Sequence, residues 1–169
     1  MVRLDDIHSI KLIAQAAHVQ FVPILHHCIA EYDSRDCLRG GMLYTDYWGG
    51  STQCHFAGFQ KGWITKSLLW LGFDYPFNKM RVNKLFGLIP EYNVASRNIG
   101  LRLGFKIEYL AADVFNYPDG VNGMYLMSMR REECKWLNMP RPHIEFAPRE
   151  LTAPLNCSLA TVEPIGMMQ

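Results

Sequence analysis

Histidine is the residue type in this sequence whose chemistry best suits proton transfer at neutral pH, and His55, one of six histidines, is a candidate for that role. An unperturbed imidazole has a pKa near 6.5, so the ring can take a proton from a nucleophile and release it again. Asp46, Glu31 and Glu91 are lesser candidates for the same role. A histidine at the surface, or one satisfied inside a core, is the alternative interpretation of His55, and the residues by themselves leave both open.

Two further polar residues lie at the start of a short amphipathic segment. Asn93 opens the segment, which runs to Leu103, and Ser96 follows three residues later. Asn is among the best residues for a helix N-cap, so the pattern predicts that a helix begins here. Because a helix start also attracts polar ligand groups, Asn93 and Ser96 are candidates for ligand contact as well as for capping.

The cysteines and histidines do not form a metal-binding pattern. The five cysteines are scattered and none belongs to a C-x-x-C pair, which favours reduced thiols over a zinc site or a disulfide framework. His26 and His27 are adjacent, and adjacent side chains on a helix point about 100° apart. We therefore predict no metal site.

Length and composition predict a single globular domain. The chain has 169 residues, of which 49% are hydrophobic and 20% charged, and a net charge of +1 that does not indicate a nucleic-acid partner. No apolar run approaches the roughly 18 residues needed to span a bilayer. The N-terminus is polar and acidic, unlike a signal peptide, so we expect a cytoplasmic protein without a membrane partner.

Hydrophobic periodicity predicts helices and strands that alternate along the chain. The order is helix, helix, strand, strand, helix, strand, helix, strand, strand, which favours an α/β fold, a mixed sheet with helices on both faces. We predict helices over residues 7–17, 22–31, 62–75 and 93–103, and strands over 37–47, 52–59, 79–89, 106–115 and 124–130.

The last part of the chain differs in composition from the rest, because five prolines fall within its final 30 residues. We predict a folded domain over residues 1–137 and an extended, Pro-rich C-terminal extension over 138–169, either wrapped on the domain or partly mobile. If residues 144–146 pair with an exposed sheet edge, the extension could bridge two subunits or cover a groove.

The segment 93–105, with the alternating strand after it, resembles the C-terminal half of the GNAT superfamily of acetyl-CoA-dependent N-acetyltransferases. The residues that carry the resemblance are Asn93, Ala95, Ser96 and Leu103-Gly104-Phe105. The resemblance covers roughly residues 42–137 and implies a GNAT-like, mainly antiparallel mixed sheet whose first strand is weak or missing. It also implies that Asn93 and Ser96 lie near the pantetheine and pyrophosphate arms of coenzyme A.

Residues 59–69 resemble the pyrophosphate loop of the same superfamily, in which a glycine-rich turn and the helix behind it present backbone N–H groups to the diphosphate. Gly62 fits the first glycine of that loop, whereas Phe59 stands at the Arg/Gln position and Ile64 replaces the second Gly/Ala. Without the resemblance, Gly62 would be an ordinary loop glycine. The cofactor contacts implied here are Gln60, Lys61, Gly62, Trp63, Ile64 and Thr65.

The resemblance further implies direct attack of an amine on the thioester of acetyl-CoA. In the family the pantetheine arm pairs with the fourth strand, here 52–59, so the backbone of His55, Phe56 and Ala57 is expected to contact it. His55 on that strand is then the candidate base. The tyrosine that many members place seven residues after the helix Asn is Gly100 here, so the usual acid is absent.

Residues 127–137, Met-Ser-Met-Arg-Arg-Glu-Glu-Cys-Lys-Trp-Leu, look most like the ending of members encoded by tailed phages. This implies an N-acetyltransferase that acts on an amine of a protein or small molecule, on a host component in the host cytoplasm, with a homodimer or a host-protein partner left open. The alternative is a catalytically weakened GNAT-fold protein that works by docking on a partner, which the imperfect loop, Gly100 and the long Pro-rich tail favour. A structural or virion-associated domain is a third interpretation.

Overall fold

A seven-stranded sheet and three α-helices make up most of the computed structural model, which describes residues 1–22, 25–117 and 120–146. The strands are β1 (Val2–Leu4), β2 (His27–Tyr32), β3 (Leu38–Thr45), β4 (Ser51–Gly58), β5 (Lys84–Pro90), β6 (Lys106–Tyr117) and β7 (Gly120–Arg130). The helices are α1 (Ile7–Ala16), α2 (Lys66–Asp74) and α3 (Val94–Leu103), with a π-helical turn at Tyr75–Lys79 and 3-10 turns at Arg131–Glu133 and Lys135–Asn138.

The sheet order is β1-β2-β3-β4-β5-β7-β6. Neighbouring strands are antiparallel except β4 and β5, which are parallel. This confirms the predicted mixed, mainly antiparallel sheet. The parallel pair is joined by the crossover through α2, as a parallel connection requires.

Helices cover both faces of the sheet, as predicted. Ile13 and Ala14 of α1 pack with Ala57 of β4 in one buried cluster. Phe56, the neighbouring residue on β4, belongs to a second cluster with Leu68 of α2 and Leu103 of α3. Because successive side chains of a strand point to opposite faces, β4 is buried on both sides.

Side-chain caps explain where the helices begin and end. Asp6, Thr65 and Asn93 each accept a hydrogen bond from the N–H three residues later, which satisfies a donor of the first turn in α1, α2 and α3 respectively. Gly104 ends α3 with φ +107°, a left-handed conformation that favours glycine. The predicted Leu-Gly-Phe stop is therefore confirmed. Pro76 marks the change from α2 to the π-helical turn.

The helix predicted over residues 22–31 is wrong, because His27–Tyr32 form strand β2 and residues 22, 25 and 26 are not helical. Residues 28–32 are all buried, with Cys28 facing α1 and Ile29 facing the opposite cluster. A strand buried on both faces lacks the apolar–polar alternation that distinguishes it from a helix. Pro23 and Ile24 lie outside the described residues.

The first strand, expected to be weak or missing, is present as β1 and pairs with β2 from Val2↔Glu31 to Leu4↔Ile29. Three residues are too few to give a periodic signal in the sequence. Val2 also donates to the Glu145 carbonyl at 2.8 Å and forms a parallel bridge with Phe146. The start of the C-terminal extension therefore pairs with the outer edge of the sheet in its own chain, whereas residues 147–169 lie outside the described residues.

Three cysteines, Cys28, Cys54 and Cys134, are free and buried. Cys37 is disulfide-bonded, so the expectation of five reduced thiols is wrong at that position. Within the described ranges, no group of three or more His, Cys, Asp or Glu side chains could hold a metal ion. In the same ranges, no helix is long and apolar enough to cross a bilayer.

Candidate functional site

The parallel strands β4 and β5 pair over only three residues and then part. Their register runs from Ser51↔Lys84 to Gln53↔Phe86, after which the rest of β4, Cys54–Gly58, has no partner on its β5 side among the described residues. His55, Phe56 and Ala57, the expected pantetheine contacts, lie in this unpaired part of β4. Their backbone groups are placed to receive an extended ligand as an added strand would be received.

The loop between β4 and α2 holds backbone N–H groups that no acceptor in the described part of the chain uses. The N–H groups of Phe59 and Gln60 donate to the Arg39 carbonyl at 2.9 and 3.2 Å, so they are already committed. By contrast, the N–H groups of residues 61–64 have no acceptor within the described part of the chain. Gly62 has φ +71°, and a Cβ built there would meet nothing within 4 Å. The loop is therefore open at Gly62, just before the N-terminus of α2.

A network of side chains that the sequence analysis did not identify fixes this loop. Arg39 of β3 donates to the Gly62 carbonyl at 2.9 Å and lies 3.8 Å from the carboxylate of Glu31. Thr65 donates to the same carboxylate and accepts from the Leu68 N–H at 3.1 Å. The network joins β2, β3, the loop and α2, so no local sequence pattern could indicate it. Glu31, a lesser candidate base, is committed to this support.

The side chain of Trp63 is a packing element of the loop. It is 5% exposed. A Cβ on Gly58 would overlap its indole, and one on Gly40 would lie 2.6 Å from its Cε3. Ile64 is partly buried against the same cluster. A ligand could therefore contact Trp63 and Ile64 mainly through their backbone groups.

Gln60 and Lys61 are the two remaining residues of the loop, and their side chains face Asp33 and solvent respectively. Gln60 Nε2 donates to Asp33 at 3.3 Å, so its amide is held by the β2–β3 connection. Lys61 is exposed and could reach an anion from solvent.

Asn93 and Ser96 meet at the start of α3. The Asn93 side-chain oxygen accepts from the Ser96 N–H at 3.0 Å, so the capping role of Asn93 is confirmed. Ser96 is 0% exposed, yet its hydroxyl has no hydrogen-bond partner among the described residues. A buried hydroxyl without a partner is costly, and each one calls for an explanation such as a ligand.

His55 is buried on the face of the sheet that carries α1. Its Nε2 lies 3.0 Å from the Thr45 hydroxyl, which donates to Asp46 at 2.8 Å. Burial lowers the pKa of His55 to about 4, with a further lowering from His26 and an opposing effect from Asp46. The imidazole is therefore neutral at physiological pH, the form that can accept a proton, and it is a weaker base than an exposed histidine.

His26 is a second buried histidine beside His55. Its pKa is lowered by burial and by His27, against the effect of Asp46, and its Nδ1 has no hydrogen-bond partner within the ranges that the structure describes. The sequence analysis considered His26 only as half of an adjacent metal-binding pair. Its relation to His55 depends on the pairing of β2, β3 and β4, which the predicted helix over 22–31 concealed.

The other acid and base candidates do not replace His55. Glu91 accepts from the Gly123 N–H at 3.1 Å and so supports the β6–β7 hairpin. Gly100, at the position of the family tyrosine, faces β7, and a Cβ there would lie 3.2 Å from Cε of Met127. A tyrosine at this position would need the helix to move away from the sheet.

Aromatic side chains lie on the same face as His55. Phe86 pairs with Gln53, two residues before His55 on β4, so the three side chains share one side of the sheet. Trp48, in the β3–β4 turn, is 73% exposed and lies with its ring centre 5.5 Å from that of Phe86. An apolar wall with an exposed indole therefore stands beside the point where β4 and β5 part.

A cavity of about 360 Å³ lies at the opposite, paired end of β5. Its lining is largely polar and consists of Phe77, Asn78, Arg81, Val82, Asn83 and Arg131. None of the predicted site residues contributes to it. The candidate site is instead an open groove between strands.

Comparison with known proteins identifies solved structures that have a similar fold. No family model matches the sequence, and no curated protein matches it. Among solved structures, the dodecameric spermidine N-acetyltransferase of Vibrio cholerae in an intermediate state matches with a TM-score of 0.62 at 13% identity, covering 82% of this chain and 96% of that chain. The spermidine/spermine N-acetyltransferase SpeG of Vibrio cholerae with manganese ions matches with a TM-score of 0.62 at 14% identity, covering 82% and 95%.

The fold is GNAT-like. At these identities the likeness concerns the backbone, and it extends over 82% of this chain. The likeness shows the fold alone and assigns no role to the parted β4 and β5, the loop at Gly62 or the start of α3. Their chemistry has to be argued from the residues themselves.

Proposed function

We propose that this protein is an acetyl-CoA-dependent N-acetyltransferase that transfers an acetyl group directly to an amine. The observation that carries the proposal is the parting of β4 and β5 after three residue pairs, next to an open loop with unused N–H groups. A gap in a sheet beside a helix N-terminus suits a long ligand that has a diphosphate at one end.

The residues present fit coenzyme A in three places. The N–H groups of residues 61–64 and the positive end of α2 would hold the diphosphate, with Lys61 adding a positive charge. The backbone of His55, Phe56 and Ala57 would hold the pantetheine arm. The unpartnered hydroxyl of Ser96, next to Asn93, would complete the contacts from the α3 side.

Acetyl-CoA would supply the activated acetyl thioester, and His55 would handle the proton. The acceptor nitrogen would bond to the acetyl carbon as the thioester C–S bond breaks, and the CoA thiolate would take a proton from solvent. The neutral imidazole of His55 would accept the amine proton, directly or through a water. A backbone N–H of the unpaired part of β4 would stabilise the negative charge on the acetyl oxygen.

The acceptor would lie on the face of the sheet that carries His55, because the base must reach its nitrogen. The exposed indole of Trp48, its neighbour Phe86 and the exposed carboxylate of Asp46 offer an apolar wall and a negative charge. These groups suit a cationic amine with an aliphatic arm. Because the two solved structures compared above are a spermidine and a spermidine/spermine N-acetyltransferase, spermidine is the first acceptor to test.

The first experiment is a thermal melt of the protein with and without acetyl-CoA and free CoA. A ligand at about 100 times its Kd adds roughly 2.7 kcal/mol to the folded state, which raises Tm by a few degrees in a domain of this size. A saturable rise supports the proposal, and no rise at millimolar ligand would contradict it. Release of CoA thiol in the presence of spermidine, compared between the wild type and His55→Asn, then tests turnover.

The alternative is a GNAT-fold protein with weakened catalysis that acts by docking on a partner. The specific observation in its favour is the lowered pKa of His55, together with glycine at position 100. Binding of acetyl-CoA without CoA release across a panel of polyamines, peptides and small amines would favour this alternative. The phage origin, the host-side acceptor and the cytoplasmic location remain predictions from the sequence.

A further inference from the structure

We infer that Thr45 and Asp46 hold His55 in the Nε2–H tautomer, so that Nδ1 is the nitrogen that accepts the amine proton. The inference deepens the proposed function and depends on it for the role of Nδ1. Its tautomer part stands on geometry alone. Thr45 and Asp46 act here as positioning residues, because in this role they work through the His55 ring and not on the reacting atoms.

The direction of the hydrogen bonds fixes the tautomer. The Thr45 hydroxyl has a single proton, and its donor geometry points to the Asp46 carboxylate at 2.8 Å, which as an anion can only accept. The oxygen of Thr45 can then only accept from His55 Nε2 at 3.0 Å, so that nitrogen carries the proton. The second ring nitrogen of a neutral imidazole is the acceptor, which makes Nδ1 of His55 the basic atom.

Burial makes this chain of contacts rigid. Thr45 is 2% exposed and His55 is 7% exposed. Thr45 in turn receives a hydrogen bond at its carbonyl from the Thr52 hydroxyl, at 2.6 Å, which ties the end of β3 to the start of β4. The other titratable groups that act on His55 are Asp46 and His26, and the buried Nδ1 of His26 makes no hydrogen bond to any described residue.

The position of His55 along β4 puts its ring near the acetyl end of a ligand bound in the gap between β4 and β5. His55 lies two residues beyond Gln53, the last residue of β4 that pairs with β5. The acetyl end of a ligand bound in the gap must lie where the strands meet, since the diphosphate end lies at the Gly62 loop. The imidazole therefore stands at the closed end of the gap, on the face with Trp48 and Phe86.

Nitrogen-15 NMR of the histidine rings in the full-length protein tests the inference without any assay of turnover. His55→Asn assigns the His55 signals. We expect a pyrrole-type Nε2 and a pyridine-type Nδ1 in the wild type at neutral pH. Thr45→Val, which keeps the shape but removes the hydroxyl, should abolish this preference, whereas Thr45→Ser should retain it. A protonated Nδ1 in the wild type, or the same tautomer in Thr45→Val, would overturn the inference.

Titration with acetyl-CoA tests the role of Nδ1. The chemical shifts of the His55 ring should change on saturation with acetyl-CoA. His27 lies on the opposite face beside Asp5 and Tyr75, and its chemical shifts should stay unchanged within error. If melting shows that acetyl-CoA binds and the His55 signals stay unchanged, the assignment of Nδ1 as proton acceptor is wrong. If melting shows no binding, the proposed function fails, and the tautomer is still decided by the comparison of Thr45→Val with Thr45→Ser.

A kinetic comparison completes the test if spermidine is turned over. Loss of the positioning contact should lower kcat about tenfold or more in Thr45→Val, with KM for acetyl-CoA unchanged. Thr45→Ser should recover most of the lost kcat. Equal kcat in the wild type and Thr45→Val would contradict a role for this contact in proton transfer.

Discussion

Trp63 lies directly over Gly58, so closely that a Cβ on Gly58 would overlap the indole ring. The contact joins the last residue of β4 to the loop that leads into α2. It shows why a bulky, buried side chain occurs in a loop proposed to bind a diphosphate. The indole packs the loop against the end of β4, while the backbone on either side of Trp63 remains open to a ligand.

Gly58→Ala should therefore destabilise the protein. The new methyl group forces Trp63 out of its position, and overpacking of this kind costs about 1–3 kcal/mol. Gly50→Ala is the matched control, because a Cβ there meets nothing within 4 Å. Urea unfolding should show a lower free energy of unfolding for Gly58→Ala and no change for Gly50→Ala. Equal stabilities of the two variants would contradict the packing described here.

Gly62→Val should abolish the rise in Tm caused by acetyl-CoA. The side chain would project into the open space beside the unused N–H groups, and the left-handed conformation would cost about 1–2 kcal/mol. Gly49→Val is the control, since Gly49 has φ +74° and equally open surroundings but lies in the β3–β4 turn. Both variants should melt earlier than the wild type, and only Gly62→Val should lose the ligand response. A retained response in Gly62→Val would remove the loop from the proposed site.

Thr65→Val should weaken both α2 and the loop. The variant loses an N-cap, which costs about 1 kcal/mol, and leaves Glu31 without its hydroxyl donor. We expect a lower Tm and a smaller acetyl-CoA response, both restored in Thr65→Ser. Asp6→Ala removes the cap of α1 and should lower Tm without changing the response to acetyl-CoA. A normal ligand response in Thr65→Val would show that the network does not position the loop.

Two buried serines should respond in opposite directions to replacement by alanine. Ser96→Ala removes a hydroxyl without a partner and should raise the free energy of unfolding by up to about 1 kcal/mol, while reducing the acetyl-CoA response. Ser9→Ala removes a hydroxyl bonded to Asp6 at 2.6 Å and to Tyr32 at 2.7 Å, and should destabilise the protein. Chemical denaturation with and without ligand measures both effects. Destabilisation by Ser96→Ala would mean that its hydroxyl has a partner in solution.

The pH dependence of stability should carry a contribution from His55. Because burial lowers its pKa from 6.5 to about 4, the folded state favours the neutral ring. The resulting contribution to the free energy of unfolding is fully present above about pH 6.5. It is lost as the pH falls from there toward 4, and the whole loss amounts to about 3 kcal/mol. In urea unfolding over this range, His55→Asn should lose less stability than the wild type. Parallel losses in the two proteins would show that His55 is accessible to solvent.

How far the sequence could predict the site is clearest from α3 and from β2. The limits of α3 follow from Asn93 and Gly104, whose effects depend on the adjacent turns of backbone alone. Strand β2 was mistaken for a helix because it is buried on both sides, and burial of that kind is decided by α1 and α2, which lie elsewhere in the sequence.

The sequence by itself determined the order of most elements and the two limits of α3, because capping and periodicity act between residues a few positions apart, whereas the loop with Gly62 was predicted from a family resemblance. Only the tertiary structure decided that β4 and β5 part after Gln53, that Arg39 and Glu31 hold the loop, and that Thr45 and His26 surround His55. These relations join residues on different strands, and the pairing of strands depends on the packing of the whole sheet. The same packing sets the pKa of His55, since desolvation depends on every element that covers the ring.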